Sequence, residues 1–76
     1  MLTINQRTKR IISLKNSRAF VINDLLDNAG NIVKRRLTVS LVNAVKYGIV
    51  EWLLINGFYY SARLKQYRLV LEREEV

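Results

Sequence analysis

One alternating run, from Arg36 to Leu41, limits more than any other feature what this chain can fold into. Successive side chains of a β-strand point to opposite faces, so the run predicts a strand with one apolar and one polar face. The apolar face would hold Leu37, Val39 and Leu41. The polar face would hold Arg36, Thr38 and Ser40. Together with the β-branched residues before it, the run predicts a strand from Ile32 to Leu41.

The segment after this strand is strongly apolar and predicts a helix from Val42 to Asn56, ended by Gly57. Its main apolar stripe consists of Val45, Ile49, Trp52 and Leu53. Further apolar residues widen the stripe until the helix is apolar nearly all round. Such a helix must be buried on several sides, which a single chain of 76 residues does not easily provide.

A chain of 76 residues usually needs disulfides, a bound metal or oligomerisation to stabilise its small core, and oligomerisation is the one that remains here. The sequence contains no Cys and no His, which excludes disulfides, Cys/His zinc sites and His-containing catalytic triads. Its acidic residues show no recognisable spacing for a carboxylate pair or a metal site. We therefore predict a homodimer without metal or cofactor, and not an enzyme.

The C-terminal part predicts a second helix, from Ala62 to about Glu74, with Ser61 as its N-cap. The alternative is a β-hairpin from Phe58 to Glu72. The residues between its two strands would be Ser-Ala-Arg-Leu-Lys-Gln, which include no Gly, Asn, Asp or Pro. Turn chemistry therefore favours the helix.

The N-terminal part, residues 1–32, is predicted to be a basic arm plus a helix. Met1 to Asn16 alternates weakly and indicates either a short strand or an arm that orders on binding. Ser17 would cap a helix from Arg18 to Asn28, and Gly30 would stop it. Residues 33–76 would form the dimerisation domain.

The charge of the chain favours a polyanionic partner. Thirteen Lys and Arg against six Asp and Glu give a net charge of +7, and most of the positive charge precedes the apolar segment. The N-terminus lacks the pattern of a signal peptide, and charged residues such as Lys46 and Glu51 interrupt the apolar segment. We therefore expect a cytoplasmic protein that binds nucleic acid and not a membrane.

The order of strand, helix, Gly turn and helix resembles the ribbon-helix-helix repressors of the Arc, MetJ and CopG type. Gly57 matches the glycine between the two helices of that family, and Ser61 and Leu64 match the cap and first core position of its second helix. The resemblance covers Lys34 to Glu75 and implies a mainly α-helical fold with one β-strand per chain. Two copies of that strand would pair as a ribbon in the major groove of double-stranded DNA, which would make residues 33–76 the DNA-binding domain as well.

In this interpretation the chain is a homodimeric, sequence-specific transcription regulator, most simply a repressor. The base contacts would be Arg36, Thr38 and Ser40. The phosphate contacts would be Lys34, Arg35, Tyr60 and Ser61, and the possible arm contacts Arg7, Lys9 and Arg10. The dimer core would hold Leu37, Val39, Leu41, Val45, Ile49, Trp52, Leu53 and Leu64.

Two alternatives stay open on the sequence. One is a winged helix-turn-helix protein, in which Phe58 to Glu72 forms the wing and the three helices are Arg18 to Asn28, Ile32 to Thr38 and Val42 to Asn56. The other is a small basic module that binds an acidic protein, as an inhibitor or antitoxin would.

Overall fold

The computed structural model describes residues 3–12 and 17–73 and shows three short helices and four strands. The helices are α1 (Ile4–Ile11), α2 (Leu41–Lys46) and α3 (Val50–Ile55). The strands are β1 (Val21–Leu26), β2 (Ile32–Ser40), β3 (Tyr59–Ser61) and β4 (Gln66–Glu72). A single 3-10 turn, Ser17–Ala19, precedes β1. The four strands form one antiparallel sheet in the order β1-β2-β4-β3.

This sheet shows that the predicted ribbon-helix-helix fold is wrong. The strand predicted from Ile32 to Leu41 is present as β2, except that Leu41 begins α2. This strand lies inside the sheet, with β1 on one side and β4 on the other. Both backbone edges of β2 are therefore hydrogen-bonded within the chain. They cannot pair with the same strand of a second copy, which the ribbon requires.

The C-terminal segment forms the β3-β4 hairpin and not the predicted helix. Its turn needs none of the usual turn residues, because Lys65 itself adopts a left-handed backbone with a φ of 51°. The Ser61 hydroxyl also accepts a hydrogen bond from the Leu64 N–H at 3.4 Å. The predicted end of the helix, Glu74, lies outside the described residues.

The helix predicted from Arg18 to Asn28 is also wrong, because Val21–Leu26 is strand β1. A tight turn joins β1 to β2, in which the Asp27 carboxylate accepts hydrogen bonds from the backbone N–H groups of Ala29 and Asn31, each at 2.9 Å. Gly30 has a φ of 84° and closes this turn instead of a helix. With strands in place of its first two helices, the winged helix-turn-helix alternative is wrong as well.

The apolar helix predicted from Val42 to Asn56 is divided into α2 and α3. Gly48 separates them with a φ of 65°, a left-handed conformation that an α-helix cannot continue through. The Ser40 hydroxyl caps α2 by accepting a hydrogen bond from the Asn43 N–H at 3.1 Å. The division lets both helices bury a side chain, Ala44 from α2 and Leu53 from α3, and the end predicted at Gly57 is correct.

The core forms within one chain. Its largest fully buried side chains are Leu37, Val39, Leu53 and Leu71. Phe58 is also buried and lies against Phe20 and Trp52, with ring centroids 5.9 and 6.4 Å apart. Among the residues predicted to form a dimer core, Leu37, Val39 and Leu53 are thus buried without a second copy. Leu41, Ile49 and Trp52 pack at the margin of the same core, and Val45 and Leu64 are exposed.

Helix α1 joins the N-terminal part to this core. Thr3 and Gln6 form a capping box at its start, in which each side chain accepts a hydrogen bond from the backbone N–H of the other residue. Ile4 and Thr8 are buried against the sheet. Residues 1–2 and 13–16 of the predicted arm lie outside the described residues. The boundary predicted between residues 32 and 33 runs through the sheet, since β1 precedes it and β2 follows it.

Candidate functional site

The two faces of the sheet differ in what covers them. The strand register places Leu37, Val39, Tyr67 and Leu71 on one face, where the three helices bury their apolar side chains. We call the opposite side the open face. It consists of Val21, Asn23 and Leu25 of β1, Lys34, Arg36, Thr38 and Ser40 of β2, Tyr59 and Ser61 of β3, and Gln66, Arg68, Val70 and Glu72 of β4.

Two arginines lie next to each other on the open face. Arg36 is opposite Val70 and Arg68 is opposite Thr38, so the two arginines are diagonal neighbours whose Cβ atoms are about 7 Å apart. Within the described residues neither guanidinium group has a carboxylate partner, whereas Lys34 on the same face pairs with Glu72 at 3.4 Å. The pair therefore concentrates uncompensated positive charge at the middle of the sheet.

A shallow cavity of about 270 Å³ surrounds this pair. It is lined by Asn23, Asp24, Leu25, Lys34, Arg36, Arg68 and Val70. The Nε–H of Arg68 is shielded from solvent and has no acceptor within the described part of the chain. An anionic group in the cavity could accept hydrogen bonds from both guanidinium groups, because each offers several donors in a planar fork.

Arg35, the neighbour of Arg36, points to the opposite face and has a different role. Its guanidinium donates to both carboxylate oxygens of Asp24, at 2.7 Å from Nε and 3.0 Å from Nη2. Its Nη1 also donates to Asn5 Oδ1 and to Thr8 Oγ1, both at 3.0 Å. Arg35 therefore ties α1, β1 and β2 together, and its donors are not available to the phosphate that the sequence assigned to it.

The Arg35–Asp24 pair shifts both titrations. The hydrogen bonds from Arg35 hold the pKa of Asp24 below its ordinary value, against a smaller opposing effect of burial. The same hydrogen bonds raise the pKa of Arg35. Both groups are therefore charged at neutral pH. The positive charge of Arg35 is compensated by Asp24, whereas Arg36 has no carboxylate partner among the described residues.

Most other predicted contact residues have local structural partners. Thr38 is buried, and its hydroxyl lies 3.5 Å from the Val21 carbonyl oxygen, to which it donates. Tyr60 points to the helix-covered face and packs on Tyr67, with ring centroids 5.0 Å apart. Ser40 and Ser61 use their hydroxyls in the cap and the turn described above. Of the predicted base contacts, Arg36 is the one with a free, exposed functional group.

The predicted arm contacts lie on α1, on the other side of the sheet. Arg7 Nη1 donates to the Glu72 carbonyl oxygen at 3.2 Å, and Lys9 and Arg10 are exposed at the end of the helix. The structure does not bring these cations together with Arg36. Positive charge is thus present on two opposite sides of the chain.

Sequence reasoning missed Arg68 and left the role of Tyr59 open. Both belong to the β3-β4 hairpin, and Arg68 lies in the part of it that was predicted as the helix from Ala62 to about Glu74. Had Gln66 to Glu72 been read as a strand, its alternation would have placed Arg68 on the same face as Gln66 and Val70. Tyr59 is next to Arg68 across the hairpin and is half exposed.

No helix in residues 3–12 and 17–73 is long and apolar enough to cross a membrane. The same residues contain no cluster of three or more potential metal-ligating side chains. No family model, curated protein or solved structure matches this chain.

Proposed function

We propose that this protein binds single-stranded nucleic acid on the open face of its sheet. In this proposal Arg36 and Arg68 hold backbone phosphates, and Tyr59 stacks against a base. The observation that carries the proposal is the Arg36–Arg68 pair, which has no carboxylate partner among the described residues and lies on a sheet face that no described helix covers. A cytoplasmic location, where such a partner is available, is part of the proposal.

Phosphate suits the two arginines better than an isolated carboxylate does. A guanidinium group binds phosphate through two parallel hydrogen bonds, and a polyanion supplies a series of phosphates to neighbouring cations. The net charge of +7 would add long-range attraction that a small anion exploits less. Lys34 could join the contact at low cost, because its exposed ion pair with Glu72 is of the weak surface type.

The shape of the face favours a single strand over a duplex. Reading a major groove requires a helix or a two-stranded ribbon that protrudes into it, and β2 cannot supply the ribbon because both its edges are paired. A sheet face with an exposed aromatic ring instead accepts unpaired bases, which stack on the ring while cations follow the backbone. Tyr59 beside Arg68 provides this combination.

Replacing Arg36 and Arg68 by glutamine should weaken binding to a labelled single-stranded oligonucleotide of about 10 nucleotides. We expect about a tenfold loss for each substitution, because each removes a charge-assisted contact. For the double variant the dependence of log affinity on log salt should also become shallower by about 1.4, or 0.7 for each lost phosphate contact. Fluorescence anisotropy at several salt concentrations measures both quantities, with RNA and DNA oligonucleotides in separate arms.

The matched control is a double variant with Lys9→Gln and Arg10→Gln, which removes the same charge from α1. We expect it to bind within about threefold of the unmodified chain, since long-range charge is screened at physiological salt. An equal loss in both double variants would show that net charge alone governs binding. Tighter binding to a duplex than to either single strand would reject the single-strand proposal in favour of duplex DNA.

Replacing Tyr59 by alanine should cost about 1–3 kcal/mol of binding free energy if its ring stacks on a base. Tyr59→Phe should retain nearly all of the affinity, because stacking uses the ring face and not the hydroxyl. Tyr47 is an exposed tyrosine at the end of α2, and Tyr47→Ala is the matched control. Equal affinity of Tyr59→Ala and the unmodified chain would remove stacking from the proposal and leave only the phosphate contacts.

A further inference from the structure

Strand β1 has one free edge along its whole length. It lies at the end of the strand order and pairs only with β2, so its outward backbone N–H and C=O groups have no strand partner within the described residues. All six of its residues are exposed, including Val21 at 59%, Ile22 at 44%, Leu25 at 57% and Leu26 at 54%. An apolar edge of this kind is a template for a further strand.

Edge strands are normally protected, and β1 lacks most of the usual protection. Lysine, proline and strong bulges discourage a further strand, and the sequence Val-Ile-Asn-Asp-Leu-Leu contains neither Lys nor Pro. The single irregularity of β1, a register shift between Leu25 and Leu26, lies at its end. Its one charged side chain, Asp24, is ion-paired with Arg35 of the neighbouring strand β2. At the other edge of the sheet β3 is short, with only three residues.

We propose that β1 pairs in antiparallel orientation with β1 of a second copy of this chain. The residues that β1 contributes to the open face support a second copy as the occupant, because their order, Val21, Asn23 and Leu25, is apolar-polar-apolar in both directions. A two-fold axis at Asn23 therefore places an apolar side chain against an apolar side chain on both sides of the axis.

The pairing register follows from symmetry and charge. A two-fold axis perpendicular to the sheet keeps the open faces of both copies on the same side, so directly opposed residues must share a face. The axis can then pass through Asn23 or through Asp24. An axis at Asp24 would set two carboxylates opposite each other, which is unfavourable. An axis at Asn23 sets Val21 opposite Leu25 on both sides and is the register we assign.

This dimer would join two sheets into one, with both open faces on the same side. Asn23 neighbours Arg36 in the β1-β2 register, so the two copies of Arg36 would be separated by three strand spacings, about 14 Å. The dimer proposal does not rest on nucleic-acid binding. Its test uses the protein alone.

Because the chain contains no Cys, an introduced Cys is the only thiol present. Asn23→Cys should form a disulfide-linked dimer under mild oxidation, because directly opposed residues have Cα atoms about 4.5–5.5 Å apart, within disulfide range. Val21→Cys alone should not, since Val21 opposes Leu25. A mixture of Val21→Cys and Leu25→Cys should cross-link as a heterodimer. Non-reducing electrophoresis reads out all three, and Val42→Cys, at a 76% exposed site on α2, is the control for random collision.

Sedimentation at several concentrations tests the dimer without cross-linking. The unmodified chain should sediment as a dimer at micromolar concentration, and Leu25→Lys should raise the dimer dissociation constant at least tenfold, because it places a charge opposite the apolar side chain of Val21 on both sides of the axis. Ile55→Lys adds the same charge at an 80% exposed position on α3 and should leave the dimer unchanged. Circular dichroism verifies that both variants fold. A monomer at all concentrations, or cross-linking of Val42→Cys as efficient as that of Asn23→Cys, would overturn the proposal.

Discussion

Replacing Leu37 by alanine should lower the free energy of unfolding by about 3–4 kcal/mol, because it leaves a cavity in the core of the sheet. Leu37 is fully buried at the centre of the sheet, between Ile22 of β1 and Leu69 of β4. Truncation removes apolar contacts and leaves a cavity. The cavity cannot close easily, because β2 is paired with β1 on one side and with β4 on the other. Domains of this size have little stability to spare, so the variant should be partly unfolded at physiological temperature.

Urea unfolding followed by fluorescence measures this change, because Trp52 is the only tryptophan and packs against Phe20 and Phe58. Leu54→Ala is the matched control, since Leu54 is half exposed on α3. We expect it to cost less than about 1 kcal/mol. Equal costs for Leu37→Ala and Leu54→Ala would contradict the central position of β2.

Replacing Arg35 by methionine should lower the free energy of unfolding by about 2–3 kcal/mol. Methionine keeps much of the side-chain volume but removes the donors to Asp24, Asn5 and Thr8. The Asp24 carboxylate would then lose its partner, and α1 would lose its polar connection to the sheet. The neighbouring Arg36→Met should change stability by no more than about 0.5 kcal/mol, because Arg36 is exposed and its guanidinium makes no such contacts.

A double-mutant cycle with Asp24→Asn separates the ion pair from the other contacts of Arg35. Asp24→Asn leaves a largely buried guanidinium with a weaker partner, so the double variant should cost less than the sum of the two single changes. Additive costs would mean that the two side chains do not interact.

The pH dependence provides a second readout of the same pair. Because Arg35 lowers the pKa of Asp24, the folded chain releases this proton more readily than the unfolded chain does. The stability from the pair should therefore be complete above about pH 4 and should decrease as pH falls through the lowered pKa. Arg35→Met should lose less stability over this acidic range than the unmodified chain.

The sequence predicts β2 well because the signal is local. Alternation from Arg36 to Leu41 favours a strand, and the buried state of Leu37 and Val39 follows from it. The signal that ends the apolar segment is equally local, since Gly57 adopts a φ of 89° that other residues rarely adopt.

The remaining strands depend on partners that are distant in sequence. β1 has too few residues to distinguish a strand from a helix by periodicity, and it is fixed by pairing with β2. The hairpin from Phe58 to Glu72 was the alternative to the favoured helix, because its turn uses Lys65 in a conformation that turn statistics assign to Gly or Asn.

The different roles of Arg35 and Arg36 in the site also depend on partners that are distant in sequence. Arg35 and Arg36 are consecutive in a basic run, and the sequence assigned both to DNA. Arg35 forms an ion pair with Asp24, 11 residues away, and stabilises the fold. The pairing of β2 with β4 places Arg68 beside Arg36. Neither partner is visible without the strand register.

The most direct test of the open face is an NMR titration of the isotope-labelled chain with a single-stranded oligonucleotide. The largest backbone amide shifts should occur at Asn23, Arg36, Tyr59 and Arg68, which neighbour one another on the sheet, and the exposed side of α1 should be unaffected. Shifts concentrated at Lys9 and Arg10, with none at Arg36 or Arg68, would contradict the assignment of nucleic-acid binding to this face.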